Sequence, residues 1–183
     1  MTDRIDAELW VHPAEEALHV ETVWVRLERR RQDHVALRFE IVAPAGAVIL
    51  PAPAAPLRSN HLWETTCFEL FLRARGGTGY REFNFSPSGQ WAAYEFADYR
   101  TGMTDTAVAA PPMIAVRQET GTIVADVELS LDLPDDLYDV GLCAIVEERS
   151  IGKSYWALSH GGSSPDFHHR SCFALELPPP TRP

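Results

Sequence analysis

Alternation of apolar and polar residues with a period of two runs along most of this chain, and it constrains the fold more than any other feature. Segments such as "HVETVWVRLER", "HVALRFEIV" and "CFELFLRA" place apolar side chains on one face of an extended strand. Short turns separate them, including "RGGTG", "SPSGQ" and the pair Thr120-Gly121. The only hints of helix, "DAELWVHPAEEALHV" and "LDLPDDL", each contain a proline. The sequence therefore predicts an all-β fold of about ten strands, an antiparallel β-sandwich.

The length of 183 residues suits a single well-cored domain rather than two. We expect one domain over residues 1–183, with its core over residues 20–177 and a proline-rich C-terminal tail over residues 178–183. A second proline-rich stretch, "APAGAVILPAPAAPLRSN", should hold neither a helix nor a central strand. No repeat is visible, which argues against propellers and solenoids.

Charge and cysteine usage exclude several classes of function. The net charge of −10 disfavours binding to nucleic acid or to anionic membranes. The one basic run, residues 29–31, is expected to be a solvated turn. The three cysteines lie in apolar runs, which is typical of reduced, buried thiols in a cytosolic protein. Because neither a signal peptide nor a membrane-spanning run is evident, we expect a cytoplasmic protein.

Polar residues inside strands and tryptophans near strand ends are the features that a fold alone does not require. Glu69, Asn84 and Glu147 lie in strand-like runs, where polar groups are costly unless they are paired. Trp24 is expected in the core, whereas three other tryptophans lie near turns and can stack on the apolar face of a sugar ring: Trp63, Trp91 and Trp156.

The segment "SHGGSSPDFHH" has an unusual local composition, but its spacing matches no metal motif. Asp166 is expected to cap the turn after Pro165. Neither a GxSxG nucleophile motif nor a phosphate-binding glycine loop is present, so no catalytic residue is assigned and no metal site is expected.

Three blocks in this order, "LWETTCFELFL", "YREFNFSPSGQWAAYEFADYRTGM" and "SYWALSHGGSSPDFH", resemble the DOMON-like family. More closely, they are similar to its bacterial single-domain branch, which is related to family 9 carbohydrate-binding modules. The resemblance implies a jelly-roll or immunoglobulin-like β-sandwich with a pocket for a sugar or a haem. Sugar-binding relatives hold a saccharide between two tryptophans, for which Trp63 and Trp156 are the candidates. Haem-binding relatives use a methionine and a histidine, for which this sequence offers Met103 and His160.

These observations favour a non-catalytic module that binds a small saccharide or polyol between tryptophans. The candidate ligand-binding residues are Trp63, Glu64, Glu69, Asn84, Trp91, Glu147, Trp156 and His160. The resemblance implies that Glu69, Asn84 and Glu147 would bind the ligand's hydroxyl groups.

Four alternatives remain open at the level of sequence. One is a domain that binds a b-type haem, through Met103 and His160, or another small cofactor. Another is a hydrolase with paired carboxylates such as Glu69 and Glu147, whose separation across a cleft would be diagnostic. A third is a protein-interaction domain with a flat patch of tryptophans. Structural calcium is the fourth, although the acids lack EF-hand spacing, and a separate partner protein is compatible with all of them.

Overall fold

The computed structural model of the protein describes residues 3–179 except for positions 16, 18, 32, 132 and 135. The prediction of an all-β antiparallel fold is confirmed: these residues contain twelve strands and two single-turn 3₁₀ helices, Leu62–Glu64 and Arg170–Cys172. Residues 180–183 of the predicted tail lie outside the described part of the chain. The strands are β1 Asp3–Val11, β2 Thr22–Arg31, β3 His34–Val42, β4 Cys67–Ala74, β5 Tyr80–Phe85, β6 Trp91–Phe96, β7 Thr104–Asp105, β8 Met113–Glu119, β9 Thr122–Ser130, β10 Tyr138–Glu148, β11 Gly152–Ala157 and β12 Leu175–Leu177.

All strands belong to one curled sheet with the order β7-β6-β5-β4-β10-β11-β1-β2-β3-β9-β8, and β12 pairs with β10 beside β11. Strand β1 joins the two halves of this sheet. Its residues 3–9 pair with β2, whereas Trp10 and Val11 pair with Ala157 and Trp156 of β11. We call β1, β2, β3, β9 and β8 the first half-sheet, and the strands from β11 to β7, with β12, the second half-sheet.

The main core lies between the two half-sheets. Alternate residues of β3, including Leu37 and Phe39, face alternate residues of β4, including Phe68 and Leu70. The rings of Phe39 and Phe68 stack with their centroids 4.7 Å apart, which is direct contact between the halves. Burial of these apolar faces removes a large hydrophobic area from water, and this is the main term that stabilises the fold.

The second half-sheet is covered on both faces, and this decides where the candidate site lies. Its outer face carries a separate apolar cluster, which we call the outer-face cluster: Leu62, Cys67, Phe71, Tyr80, Ala92, Tyr94, Phe96, Cys143, Ile145, Ala157, Phe167 and Phe173. Residues 158–173, which we call the covering segment, supply Phe167 and Phe173 and pack over this face. A close approach of the segment depends on Gly141, because a Cβ atom there would lie 3.2 Å from the carbonyl oxygen of Cys172.

The strand prediction missed two strands, β1 and β7. "DAELWVHPAEEALHV" suggests helix because of its alanines and acids, but its first half forms β1, which ends before Pro13. Strand β7 has only two residues and no periodicity to detect. In "LDLPDDL", positions 132 and 135 lie outside the described residues, and its other residues form no helix.

Several local predictions are confirmed. The Thr120-Gly121 turn joins β8 and β9, and Gly121 has a φ of 77°, a left-handed conformation that glycine adopts without strain. The described residues of the proline-rich stretch 43–60 form only isolated bridges to neighbouring strands. The three cysteines are unpaired and buried. Within the described part of the chain, no helix has both the length and the apolar character needed to cross a bilayer.

Two local predictions are wrong. Trp24 lies on the solvent-facing side of β2 and is 44% exposed, because its neighbours Val23 and Val25 take the core positions. The basic run at residues 29–31 belongs to β2 rather than to a turn. Arg29 is buried there, and its guanidinium donates hydrogen bonds to the carbonyl oxygens of Leu133 and Pro178.

Candidate functional site

A cavity of about 460 Å³ lies between the outer face of the second half-sheet and the covering segment. Its floor comes from β4, β5, β6, β10 and β11, and its other walls come from the 3₁₀ turn before β4, the loop after β6 and the covering segment. The lining residues are Trp63, Glu69, Glu82, Tyr94, Phe96, Arg100, Met103, Ile145, Tyr155, Pro165, Asp166, Phe167 and His168. A volume of this size is in the range of small-molecule sites.

Two carboxylic acids, Glu69 and Glu82, lie in the floor of the cavity, and we call them the acid pair. In the β4–β5 register Glu69 is opposite Asn84 and Phe71 is opposite Glu82, so the two acids are diagonal neighbours on one face. They are only 3% and 5% exposed. Burial raises the pKa of Glu82 to about 7. Burial, and next the charge of Glu82, raise the pKa of Glu69 well above its usual range.

The hydrogen bonds of the acid pair are incomplete. Asn84 donates through Nδ2 to Oε1 of Glu82 at 2.7 Å. The Oδ1 atom of Asn84 is buried and accepts no hydrogen bond. The pKa of the Glu69 carboxyl group is set by burial and by the charges of Glu82 and Arg100, with no hydrogen bond from the described residues among its causes. Because buried acceptors normally have donors, both groups have unused hydrogen-bonding capacity. Glu69 lines the cavity and can meet a ligand directly, whereas Asn84 is buried beside it and does not line the cavity.

An ion pair joins the loop after β6 to the covering segment at the rim of the cavity. Arg100 donates through Nε and Nη2 to Oδ1 of Asp166, at 3.2 and 2.7 Å, and the hydroxyl of Tyr99 donates to Oδ2. Although partial burial opposes ionisation, hydrogen bonds from Tyr99 and Arg100 outweigh it and lower the pKa of Asp166. The backbone of Arg100 is left-handed with a φ of 52°, a conformation uncommon for a residue with a side chain.

Asp166 also accepts a hydrogen bond from the backbone N–H of His168, so the expected cap of this turn is confirmed. The imidazole of His168 lies between Tyr80 and Glu82. Its Nδ1 is 2.8 Å from the Tyr80 hydroxyl and its Nε2 is 3.7 Å from Oε2 of Glu82. Burial, assisted by the charge of Arg100, lowers the pKa of His168 to about 4, so the ring is neutral near neutral pH.

Aromatic rings line opposite sides of the cavity. On the β6 side, Trp63 and Tyr94 lie with their ring centroids 6.5 Å apart in an edge-on arrangement. On the β11 side, Tyr155 and Phe167 have centroids 6.1 Å apart. The cavity therefore combines apolar aromatic walls with a polar floor.

The structure brings three sequence-predicted residues to this cavity. Trp63, Glu69 and Met103 line it directly. Asn84 lies beside them in the floor, opposite Glu69 and bonded to Glu82. Glu64 follows Trp63 but does not line the cavity, and its exposed side chain lies 3.8 Å from His61.

The other predicted residues lie away from the cavity. Trp91 and Trp156 are buried in the main core, on the opposite face of the second half-sheet. The indole N–H of Trp156 donates to the Ser154 hydroxyl at 2.9 Å. Glu147 is opposite Lys153 in the β10–β11 register and does not line the cavity. His160 is also outside the lining, and its Nε2 lies 2.7 Å from the Trp10 carbonyl oxygen.

The haem and paired-carboxylate alternatives each require two named residues to meet in the cavity, and the structure does not bring either pair together there. Met103 and His160 do not meet in the cavity, so the residues present do not fit a haem held by these two ligands. Glu69 and Glu147 do not face each other across it either, because only Glu69 lines it. Among the described residues, no three His, Cys, Asp or Glu side chains are grouped to hold a metal ion. The most exposed tryptophans are Trp10 and Trp24, not those near the predicted turns.

Sequence reasoning did not assign several residues that line the cavity, among them Glu82, Tyr94, Arg100, Tyr155 and His168. A signal for Glu82 and Tyr94 was present, because pairing of β4 with β5 and of β5 with β6 puts both on the face that carries Glu69. No local pattern indicates that the covering segment folds over that face, so its residues could not be assigned.

No protein-family model matches the chain, and no curated protein sequence matches it either. Solved structures do match. A protein from Bacteroides uniformis described as a candidate carbohydrate-binding protein aligns with a TM-score of 0.65 at 11% identity, over 93% of this chain and 83% of its own. A family 9 carbohydrate-binding module from Caldicellulosiruptor kristjanssonii, solved in complex with glucose, aligns with a TM-score of 0.57 at 9% identity, over 92% of this chain and 81% of its own. At such low identity these likenesses show that this chain shares the fold of carbohydrate-binding proteins.

Proposed function

We propose that this protein is a non-catalytic module that binds a small saccharide in the cavity above the acid pair. The observation that carries the proposal is the combination of aromatic walls with buried, incompletely bonded polar groups in the floor. Sugar rings have apolar faces that stack on aromatic rings and hydroxyl groups that bond to carboxylates and amides. Two proteins that share the fold are described as carbohydrate-binding, one of them with glucose bound, which supports the same class of ligand.

The aromatic contact in this proposal differs from a clamp of two tryptophans. Trp63 supplies one wall, but Trp156 is in the main core, where its indole is bonded to Ser154. Tyr155, the neighbour of Trp156, lines the cavity instead, because successive residues of a strand point to opposite faces. We therefore propose that Trp63 and Tyr155 hold the sugar from opposite sides. The packing of the two half-sheets supports a β-sandwich of the jelly-roll type as the scaffold of such a module.

Titration of the protein with glucose, followed by calorimetry and by tryptophan fluorescence, tests the proposal. Trp63→Ala removes one wall of the cavity, and we expect it to weaken binding by about two- to tenfold, since stacking on an aromatic ring contributes about 0.5–1.5 kcal/mol. Tyr155→Ala should weaken binding in the same direction.

The matched control is Trp24→Ala, which removes an exposed tryptophan on the first half-sheet, away from the cavity. This variant should bind glucose as the wild type does. If the wild type gives no saturable response to glucose or to a panel of neutral and amino sugars, the proposed function is wrong. If both tryptophan variants lose binding equally, the cavity is not the site.

A further inference from the structure

The charges around the cavity do not balance. Among the described residues that line it, Arg100 is the only arginine or lysine, and its guanidinium is bonded to Asp166. The charge of Arg100 favours ionisation of both acids, but it is shared with Asp166, and its effect on each acid is smaller than that of burial. Glu82 has one neutral donor, the amide of Asn84. No hydrogen bond from the described residues contributes to the pKa of Glu69. Two carboxyl groups out of water beside each other are costly to ionise until a positive charge arrives.

The hydrogen-bonding groups of the floor, like its charge, favour a ligand with a positively charged donor group. The carboxyl groups of Glu69 and Glu82 are the acceptors that line the floor, and Oδ1 of Asn84, opposite Glu69 on β5, is buried beside them without a donor. An ammonium group brings three N–H donors and a positive charge, whereas a hydroxyl group brings one donor and no charge. Hydrogen bonds between charged partners are also stronger than neutral ones.

We propose that the cavity selects saccharides that carry an ammonium group, such as protonated amino sugars, over neutral sugars of the same shape, with the ammonium bound against the acid pair. This inference rests on the proposed function, because it concerns the same cavity. A saccharide that carries a carboxylate should be excluded, because it would place a third negative group beside the acid pair.

Selection of this kind couples ligand binding to release of a proton. Burial keeps at least one acid of the pair protonated near neutral pH. When an ammonium binds, the carboxyl group beside it ionises and its proton passes to the buffer, while the ammonium keeps its own protons.

The other groups that face the pair are the guanidinium of Arg100, the neutral imidazole of His168, the carboxylate of Asp166, the phenols of Tyr80 and Tyr94, and the thiols of Cys67 and Cys143.

Those neighbouring groups do not take up the change in charge. Burial raises the pKa of both thiols well above their usual range and that of both phenols as well, so these four groups stay protonated. Asp166 stays ionised in its pair with Arg100, and His168 stays neutral because its pKa is about 4. The acid pair is therefore the proton donor in this linkage.

Glucose and glucosamine differ only at one position, a hydroxyl in the first and an ammonium in the second, and they form a matched pair of probes. Calorimetric titrations at about pH 6 in two buffers of different ionisation enthalpy give both affinity and proton release. We expect glucosamine to bind about tenfold more tightly than glucose and to release about one proton per molecule bound. Glucuronate should bind more weakly than glucose.

Variants assign the effect to the acid pair. Glu69→Gln and Glu82→Gln should each reduce the ratio of the two affinities and the proton release, because each leaves only one acid to face the ammonium. Glu95→Gln, at an exposed position on the opposite face of β6, should leave both unchanged. If glucose binds and glucosamine binds no more tightly, or binds without proton release, the inference is overturned while the proposed function stands. If neither sugar, nor any other of the panel, binds, the proposed function itself fails.

Discussion

Glu82 is a carboxylic acid held almost wholly out of water beside a second acid, and this single placement makes the stability of the fold depend on pH. Its neighbours offer the amide of Asn84 and a neutral imidazole, neither of which replaces the hydration of a carboxylate. The protonated form is therefore favoured, and the pKa is about 7 instead of the ordinary 4.5 of a glutamate. Such a shift corresponds to about 3 kcal/mol between the two protonation states.

The direction of this pH effect follows from the pKa of Glu82 in the folded protein and in the unfolded chain. Between about pH 4.5 and 7 the unfolded chain loses the Glu82 proton while the folded protein retains it, so the free energy of unfolding falls as the pH rises. Glu82→Gln removes this loss. The free energy of unfolding, measured in urea, is compared between the variant and the wild type at pH 4.5 and at pH 8. We expect the difference, variant minus wild type, to be about 3 kcal/mol larger at pH 8 than at pH 4.5.

Two neighbours affect the interpretation of that experiment. His168, with a pKa lowered to about 4 by burial, makes both proteins more stable as the pH rises toward 6.5, so only the difference between them isolates Glu82. Removal of the Glu82 charge also relieves Glu69, which adds to the gain. The exposed Glu95→Gln variant should show no comparable change. A constant difference between Glu82→Gln and the wild type from pH 4.5 to 8 would contradict the assignment.

The orientation of Tyr155 and Trp156 shows what sequence alone could and could not decide at this scale. Alternation predicts that the two rings point to opposite faces of β11, and they do. It does not say which face is which, because both faces of the second half-sheet are buried. β4 illustrates this, since its first six residues are all buried. Glu69 could still be identified, because a lone acid in such a strand needs a reason.

At the scale of elements, the covering segment and the loop after β6 hold each other over the cavity. The segment places the carboxylate of Asp166 where it accepts hydrogen bonds from the side chains of Tyr99 and Arg100 and from the backbone N–H of His168. The loop in turn places the backbone N–H of Arg100 against the Tyr80 hydroxyl at 3.1 Å. The left-handed backbone of Arg100 is thus fixed from two sides, which keeps the rim of the cavity in one conformation.

A double-mutant cycle with Arg100→Ala and Asp166→Ala measures this connection. The pair is bonded twice through Oδ1, and Asp166 is mostly buried although Arg100 is half exposed. We expect a coupling energy of about 1 kcal/mol in urea unfolding, larger than for a fully exposed pair. The exposed pair Arg117 and Glu119 on β8 is the control, for which the same cycle should give a smaller value. Equal coupling in the two cycles would show that the rim contact adds nothing to stability.

Strand β1 explains why part of the architecture was hidden from sequence. Its strand conformation is evident only from its pairing on both edges, with β2 along residues 3–9 and with β11 at Trp10 and Val11. Its alanine and acids are compatible with a helix, and only tertiary pairing decides between the two states. The hairpins, by contrast, were predictable, because their turn residues and alternation lie within a few positions of each other.

At the scale of the whole molecule, the two half-sheets share one core and are joined by one strand. Phe39 from the first half stacks on Phe68 from the second, and β4, which carries Phe68, also carries Glu69 and Cys67 on its other face. The floor of the cavity therefore cannot separate from the main core without breaking β4. We infer that the site floor unfolds only with the whole protein, whereas the covering segment can open by itself.

The three free cysteines are natural probes of this difference, since Cys67 and Cys143 lie on β4 and β10 and Cys172 lies in the covering segment. A buried thiol reacts only after opening, because burial raises the pKa of Cys67 and Cys143 well above the usual range and that of Cys172 to about 11. In variants that retain one cysteine each, we expect the opening free energy from thiol labelling at Cys67 and Cys143 to equal the free energy of global unfolding in urea. Cys172 should give a lower value, because its exposure requires only that the segment lifts from the outer face. Labelling of Cys67 or Cys143 at an opening free energy clearly below the global value would contradict this. It would mean that the outer-face cluster opens while the main core stays folded, so that the floor of the cavity is not part of the same cooperative unit.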